Sequence, residues 1–267
     1  MDELRDKARE LLQAGTVKVV IGHAAPSAGR RRPVFVRTPA DAARLVHDEG
    51  CWHNLATYLT RPQVRRLGKP AIVASPQVLR AMLQLGAERQ LAEDEAVALA
   101  VGNASSIRVL PTLSAVEEHL ATVPDELGAA ERAELERLSA LPPAERRAFW
   151  EEQLGRCLKC YACRASCPMC YCERCTMDCN RPQWVPVASH ALGNLEYHLV
   201  RAMHLAGRCV QCGTCGKACP VGIPVHLLTL FAEGTVRRHF GQRGGASARP
   251  EYALSTFRPD DKETFIR

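Results

Sequence analysis

The sequence predicts an α/β domain at the N-terminal side and a separate small, cysteine-rich α+β domain, and three observations carry that expectation. Valine-rich runs alternate with a helical pattern in the first third of the chain. Twelve of the thirteen cysteines fall between Cys157 and Cys219. The stretch between these regions is built of charged helix formers. "TVKVVIG" (Thr16–Gly22) and "PVFVR" (Pro33–Arg37) read as short strands, because β-branched residues suit a pleated, half-buried surface. "KPAIVAS" (Lys69–Ser75) and "EAVALAVG" (Glu95–Gly102) read as two more. Between the last two, Val78, Leu79, Met82, Leu83 and Leu85 recur at helical spacing, with Pro76 suited to a first helical turn. Strand, helix, strand predicts a right-handed crossover onto a parallel sheet. "GRRRP" (Gly29–Pro33) reads as a solvated loop with a weaker reading as an anion site.

From Ala115 to Gly155 the composition turns to Ala, Glu, Arg and Leu, and Pro142 and Pro143 suit the start of a new helix there. Glu145 follows early enough to favour the positive end of that helix. Phe149 and Trp150 read as packing anchors. The expected organisation is 1–114 as the α/β domain, 115–155 as a helical linker and 156–235 as the cysteine domain, with an insertion at about 169–208. Residues 236–267 are expected as an extended C-terminal tail, with "GQRGGASARP" loose.

The cysteine spacing is the strongest signal. Cys157, Cys160, Cys163 and Cys167 spell C-x-x-C-x-x-C-x-x-x-C before Pro168, and Cys209, Cys212, Cys215 and Cys219 repeat it before Pro220. This is the bacterial ferredoxin run for a pair of 4Fe–4S clusters, in which the fourth cysteine of each run ligates the other cluster. One cluster is therefore expected on Cys157, Cys160, Cys163 and Cys219, and the second on Cys209, Cys212, Cys215 and Cys167. A structural zinc site takes four ligands, usually as two C-x-x-C pairs, and three cysteines two residues apart give one too many for a pair. Disulfides fit poorly with an odd cysteine count in a chain expected to be cytoplasmic.

The insertion carries Cys170, Cys172, Cys175 and Cys179, a spacing that is no standard cluster signature. A third metal site, whether iron–sulfur or zinc, and free redox-sensing thiols all remain open for these four. Beyond them, "LEYHLVRAMHLAGRC" places Leu195, Leu199, Ala202 and Met203 on one face of a helix that delivers Cys209 to its loop. His198 and His204 on that helix read as polar surface or as neighbours of a cluster. Gly213 and Gly216 permit close backbone approach, Gly207 reads as a helix stop, and a further helix is expected from near Pro224.

A formal charge of +6 from 35 basic and 29 acidic residues is too mild to imply nucleic acid. The charged amphipathic opening "MDELRDKARELLQAG" is unlike a secretory signal, and no apolar run is long enough to span a bilayer. A cytoplasmic protein without direct membrane insertion is expected.

"RCLKCYACRASCPMCYCERC", "NRPQW", "HLVRAMHLAGRCVQCGTCGKACPVGIP" and "STFRPDDKETFIR" together resemble an iron–sulfur family related to the beta subunit of the coenzyme F-420 (deazaflavin) hydrogenase and dehydrogenase. The resemblance implies an electron-transfer subunit that partners hydrogenase, formate dehydrogenase or heterodisulfide-reductase-like flavoprotein components. The sequence departs from the family where a Lys-Gly-Cys-Asp-type turn follows a strand: here the chain reads "VASPQVLRAM", with Ala74, Ser75 and Pro76. The resemblance also implies that Cys170, Cys172 and Cys175 form the firmer part of any third site, with Cys179 or Cys51 to complete it.

The leading expectation is a conduit that performs no bond chemistry, with Arg156, Lys159, Arg164, Arg208 and Lys217 around the loops as charge stabilisers or a docking rim. The alternative is a flavin- or deazaflavin-binding subunit that splits a hydride into single electrons. No G-x-G-x-x-G follows the early strands, so the leading expectation includes no flavin. A redox regulator is a weaker third reading, since no helix-turn-helix is evident.

Overall fold

The computed structural model describes residues 2–25, 31–102, 106–124, 127–177, 182–183 and 185–249. Helix α1 (Asp2–Gln13) leads into strand β1 (Val19–Ala24), which turns back as β2 (Arg32–Val36) and pairs also with the two-residue β3 (Leu45–Val46). A short 3-10 turn (Leu55–Tyr58) and the one-turn α2 (Pro62–Arg65) bring the chain to β4 (Pro70–Ala74). Helix α3 (Pro76–Ala87), β5 (Val97–Val101) and β6 (Ile107–Leu110) complete the sheet. Its order is β2-β1-β4-β5-β6. β4 lies parallel to β1 and to β5, with Ile72 opposite both Ile21 and Ala98, while β2 and β6 run antiparallel at the edges.

The strand–helix–strand unit expected around α3 is present, with Pro76 at its first turn. β4 is buried along its whole length, which explains its continuous apolar run in place of alternation. β3 and β6 had no clear pattern in sequence. Two residues are too few for any periodicity, and Ile107–Leu110 has an exposed arginine inside it.

Three helices follow: α4 (Leu113–Ala121), α5 (Ala129–Ala140) and α6 (Pro143–Gly155), the last starting at the expected proline pair. Phe149 packs edge-on to Trp150, and both lie against a small cluster of Leu138, Leu227 and Leu230. The cysteine region then adds α7 (Ala162–Ala165), α8 (Ala191–His204), α9 (Thr214–Lys217) and α10 (Val225–Phe240). Among the described residues it contributes helices and loops, and every strand of the sheet lies before it.

The two parts share one core. Met169, Leu205 and Val210 of the cysteine region are buried in the same cluster as the sheet and α3. At the seam, Arg208 makes a two-pronged ion pair with the buried Glu88 just after α3, and the Tyr171 hydroxyl donates to the same carboxylate at 2.7 Å. The segment after α10 is docked, contrary to the loose tail expected from its composition. Helix α10 runs on to Phe240 and ends on Gly241 in the left-handed region. Gly244 then donates to the buried Glu233 and Gly245 to the buried Gln84, each at 2.8 Å. The glycines that suggested slackness are there for fit: a Cβ on Gly245 would stand 2.3 Å from the Arg80 carbonyl oxygen. Residues 250–267, with the "STFRPDDKETFIR" motif, lie outside the described residues.

Candidate functional site: two crossed cysteine loops

The repeated spacing folds the same way twice. In the first loop Lys159 and Tyr161 take positive φ (50° and 58°), and Gln211 and Gly213 do so at the equivalent places in the second (59° and 67°). Each loop then enters a one-turn helix, α7 or α9, that carries the third cysteine. Three of these four residues have side chains, so the left-handed backbone costs on the order of 1–3 kcal/mol apiece and persists because surrounding contacts fix it. Tyr161 is held edge-on against the buried Tyr197 at 5.3 Å. The loops are tied to the sheet side by Thr57, which donates to the Ala165 carbonyl, and by Thr214, which donates to that of Trp52.

The fourth cysteines cross over. One narrow cavity is lined by Cys157, Cys160 and Cys163 of the first loop together with Cys219. A second is lined by Cys209, Cys212 and Cys215 of the second loop together with Cys167. Among the described residues, no three His, Cys, Asp or Glu side chains converge as they would on a single metal ion. The thiols ring their cavities instead. Backbone amides point at the sulfurs: Lys159 N–H donates to Cys157 Sγ and Ile223 N–H to Cys219 Sγ, both at 3.3 Å. His198 Nε2 also stands 3.3 Å from Cys157 Sγ. Burial, then Arg201 and Lys159, holds that imidazole's pKa down at about 4, so at neutral pH it is uncharged and can donate from Nε2.

Burial also dominates the thiols. It pushes Cys209 up to about 12 and Cys215 to about 11, with neighbouring cysteines adding to the rise at Cys209, and it raises Cys157 and Cys163. Such crowded thiols shed their protons together only when a strong cation takes their place, the behaviour of a metal-binding set. Four sulfur donors from two segments fit an iron–sulfur cluster in each cavity, and in the first cavity two of the sulfurs already accept from backbone amides. A bound cluster would supply one-electron oxidation and reduction, tuned by hydrogen bonds to sulfur, burial and nearby charge.

Cys170, Cys172 and Cys175 line a third cavity with Met169, Met177 and Arg201. Cys170 is pulled down to about 6, chiefly by a hydrogen bond from Cys167, which is itself raised. Cys179 lies outside the described residues, as does most of "NRPQW". Cys51 is not a member of this set. It sits after β3 beside Asp48 and opens onto a different space, a cleft of about 640 Å³ between the sheet and the second cysteine loop.

That cleft lies beyond the carboxyl end of β4, walled by Ser75, Pro76 and Gln77, and it reaches Gln211, Cys212 and Gly213. Its β4 side lies at the carboxyl end of a strand parallel to its neighbours, the end at which open α/β sheets commonly bind ligands. The turn that departs from the resembled family forms part of its wall.

Helix α8 is rotated from the sequence expectation: Ala202 is buried and Leu195 half-buried as expected, but Leu199 and Met203 are 46% and 69% exposed, while Asn194, Tyr197, His198 and Arg201 face inward toward the cysteines. The apolar-face rule fails here because the helix packs onto thiols and loop carbonyls that need polar partners. Asn194 donates to the Cys157 carbonyl and Arg201 to that of Cys163. Spacing does mark these residues, since positions 194, 197, 198 and 201 form one helical stripe, but their polarity argues for solvent. The basic residues also divide: Arg156 and Lys217 are exposed, Lys159 is buried against the Pro186 carbonyl, Arg164 donates to the Cys172 carbonyl, and Arg208 is committed to Glu88. Gly216 is the expected close approach, but to His226, whose ring would lie 2.1 Å from an added Cβ.

Fold and site together describe a cysteine-rich protein in which thiols from two crossed loops sit against an α/β sheet. No family model matches the chain. It is 34% identical over 77 residues, 28% of this chain, to the F-420-dependent formate dehydrogenase subunit beta of Methanocaldococcus jannaschii. It is 33% identical over 105 residues, 39% of this chain, to the F-420-dependent formate dehydrogenase 1 subunit beta of Methanococcus maripaludis. The matched segments span 20% and 26% of those relatives' own lengths. Over these segments the chain is related to the beta subunits of F-420-dependent dehydrogenases. Among the described residues no helix is long and apolar enough to cross a membrane.

Proposed function

We propose that this chain is a cytoplasmic electron-transfer subunit of a multi-subunit oxidoreductase, holding one 4Fe–4S cluster on Cys157, Cys160, Cys163 and Cys219 and another on Cys209, Cys212, Cys215 and Cys167. The observation that carries this reading is the pair of cavities, each lined by three cysteines of one loop and the fourth of the other. The chain's own residues exclude water, aim amide and imidazole donors at sulfur, and join the sites. Cys163 of the first loop lies near enough to Cys215 of the second to raise its pKa. The second cavity opens toward the large cleft through Cys212, and the first reaches the surface at the exposed Cys160 and Leu158. Partners are the formate dehydrogenase, hydrogenase or heterodisulfide-reductase-like subunits that would give and take the electrons.

A further domain organisation is part of this reading: an α/β unit, a helical connection, and a two-cluster unit with an insertion that could hold a third metal site on Cys170, Cys172 and Cys175. Iron and sulfide per chain after anaerobic purification test it. About eight of each supports two clusters and about twelve supports three. A zinc-filled, iron-free protein that still sustains its parent complex would defeat the conduit.

A second reading is favoured by the cleft. Its 640 Å³ is within the range of organic-ligand sites, and it adjoins Cys212. A flavin or deazaflavin held there would pass electrons to the second cysteine set. Flavin fluorescence in an acid extract of the purified chain supports this reading, whereas a native protein with iron–sulfur absorption whose acid extract holds no flavin favours the simple conduit.

A further inference from the structure

Arg201 occupies an unusual place. It lies on α8, is 5% exposed, and lines both the cavity of Cys167, Cys209, Cys212 and Cys215 and that of Cys170, Cys172 and Cys175. Its Nη2 donates to the Cys163 carbonyl at 3.1 Å, which ties it to the first loop as well, and its Nε is buried with no partner among the described residues. A buried guanidinium ordinarily rests on a carboxylate. Here burial acts against the charge, and sulfur opposes it: Cys167, Cys215, Cys170 and Cys163 outweigh that penalty, in that order. One cation therefore serves cysteines of all three sets.

We propose that Arg201 is a shared fixed charge that raises the reduction potentials of the iron–sulfur centres in both crossed cavities. The inference rests on the reading that those cavities hold such centres. Reduction adds one negative charge to a centre, and a cation held nearby out of water favours the reduced form. Exposed arginines around the loops act through solvent and ions and count for much less. Arginine suits the task because its planar fork can hold the Cys163 carbonyl while the charge is kept. Arg201 also hydrogen-bonds Cys215 and Cys170 and acts as a positioning and tuning residue.

The test uses the full chain, purified without oxygen, as wild type, Arg201→Gln, Arg201→Lys and the exposed control Arg156→Gln. Each is titrated against applied potential while the reduced centres are followed by electron paramagnetic resonance, with iron and sulfide measured alongside. Arg201→Gln is expected to lower the reduced-to-oxidised ratio of both centres about tenfold at a fixed potential, a midpoint change of about 59 mV for a one-electron couple. Arg201→Lys should stay within about threefold of wild type, and Arg156→Gln within about twofold. Equal potentials in Arg201→Gln and wild type, equal shifts in the Gln and Lys variants, or a shift confined to one centre would each overturn the proposal. Should Arg201→Gln fail to load iron while Arg201→Lys loads it, the charge requirement stands; if neither loads, the side chain acts through shape and the proposal falls. A wild-type chain without iron and sulfide would defeat the cluster reading itself, whereas a loaded wild type beside an unchanged Arg201→Gln removes only the role of Arg201.

Discussion

Replacing Arg208 by methionine tests how the sheet and the cysteine region are fastened. Arg208 Nε and Nη2 each lie 2.6 Å from a Glu88 carboxylate oxygen, and the Glu88 side chain is 4% exposed against 22% for Arg208. Removing one partner of a buried pair typically costs about 3–5 kcal/mol, because the remaining charge stays buried. Two donors would remain on Glu88, from the Tyr171 hydroxyl and from Gln84 Nε2 at 2.8 Å, and Arg208 is partly wet. The lower end, about 3 kcal/mol, is therefore expected, including the small loss of the guanidinium stacked 5.7 Å from the Tyr171 ring. With a urea dependence of roughly 3 kcal/mol per molar, the unfolding midpoint should fall by about 1 M. Glu88→Gln in the same background should recover at least about 1 kcal/mol, since it removes the stranded charge. Anaerobic urea unfolding followed by far-ultraviolet circular dichroism measures both. A loss under about 1 kcal/mol for Arg208→Met, or strictly additive losses in the double variant, would refute the fastening role.

Two further predictions concern the rest of the molecule. His23 in β1 is buried, both ring nitrogens lack partners among the described residues, and burial followed by the nearby His53 and His47 lowers its pKa to about 4. The unfolded chain then binds the proton first as pH falls from about 6.5 to about 4. Stability should be flat above that window and drop by at most about 3 kcal/mol across it, and His23→Gln should flatten the drop; a pH-independent difference between wild type and variant would contradict this. On α8, Leu199→Lys and Met203→Lys should each change thermal stability by less than about 0.5 kcal/mol, because both side chains already face outward, whereas Tyr197→Lys should unfold the helix's contact with the cysteine loops. A large loss at Leu199 would restore the orientation its hydrophobic spacing suggests.

The strands around α3 and the start of α6 were readable because apolar runs and prolines act locally. The repeated cysteine spacing was readable as a repeated loop, since Lys159 and Tyr161 share positive φ with Gln211 and Gly213 at equivalent places. What escaped was decided by distant partners. The inward turn of α8 depends on loop carbonyls and thiols that no local pattern displays, so nothing singles out Arg201, while His198, which reads as polar surface or as a neighbour of a cluster, stands beside Cys157. Docking of Gly244 and Gly245 depends on Glu233 and Gln84, and composition alone suggested slack. Cys51, which the resemblance offers to complete the third cysteine set, lines the cleft rather than the cavity of Cys170, Cys172 and Cys175.

The crossing of the loops is tested most directly by Cys160→Ser, Cys219→Ser and Cys212→Ser in the anaerobic protein, compared by electron paramagnetic resonance of the reduced centres. Cys219→Ser should alter the same signal as Cys160→Ser and spare the one altered by Cys212→Ser. If Cys219→Ser instead disturbs the Cys212 signal and leaves the Cys160 signal intact, each loop holds its own fourth cysteine and the crossed arrangement is wrong.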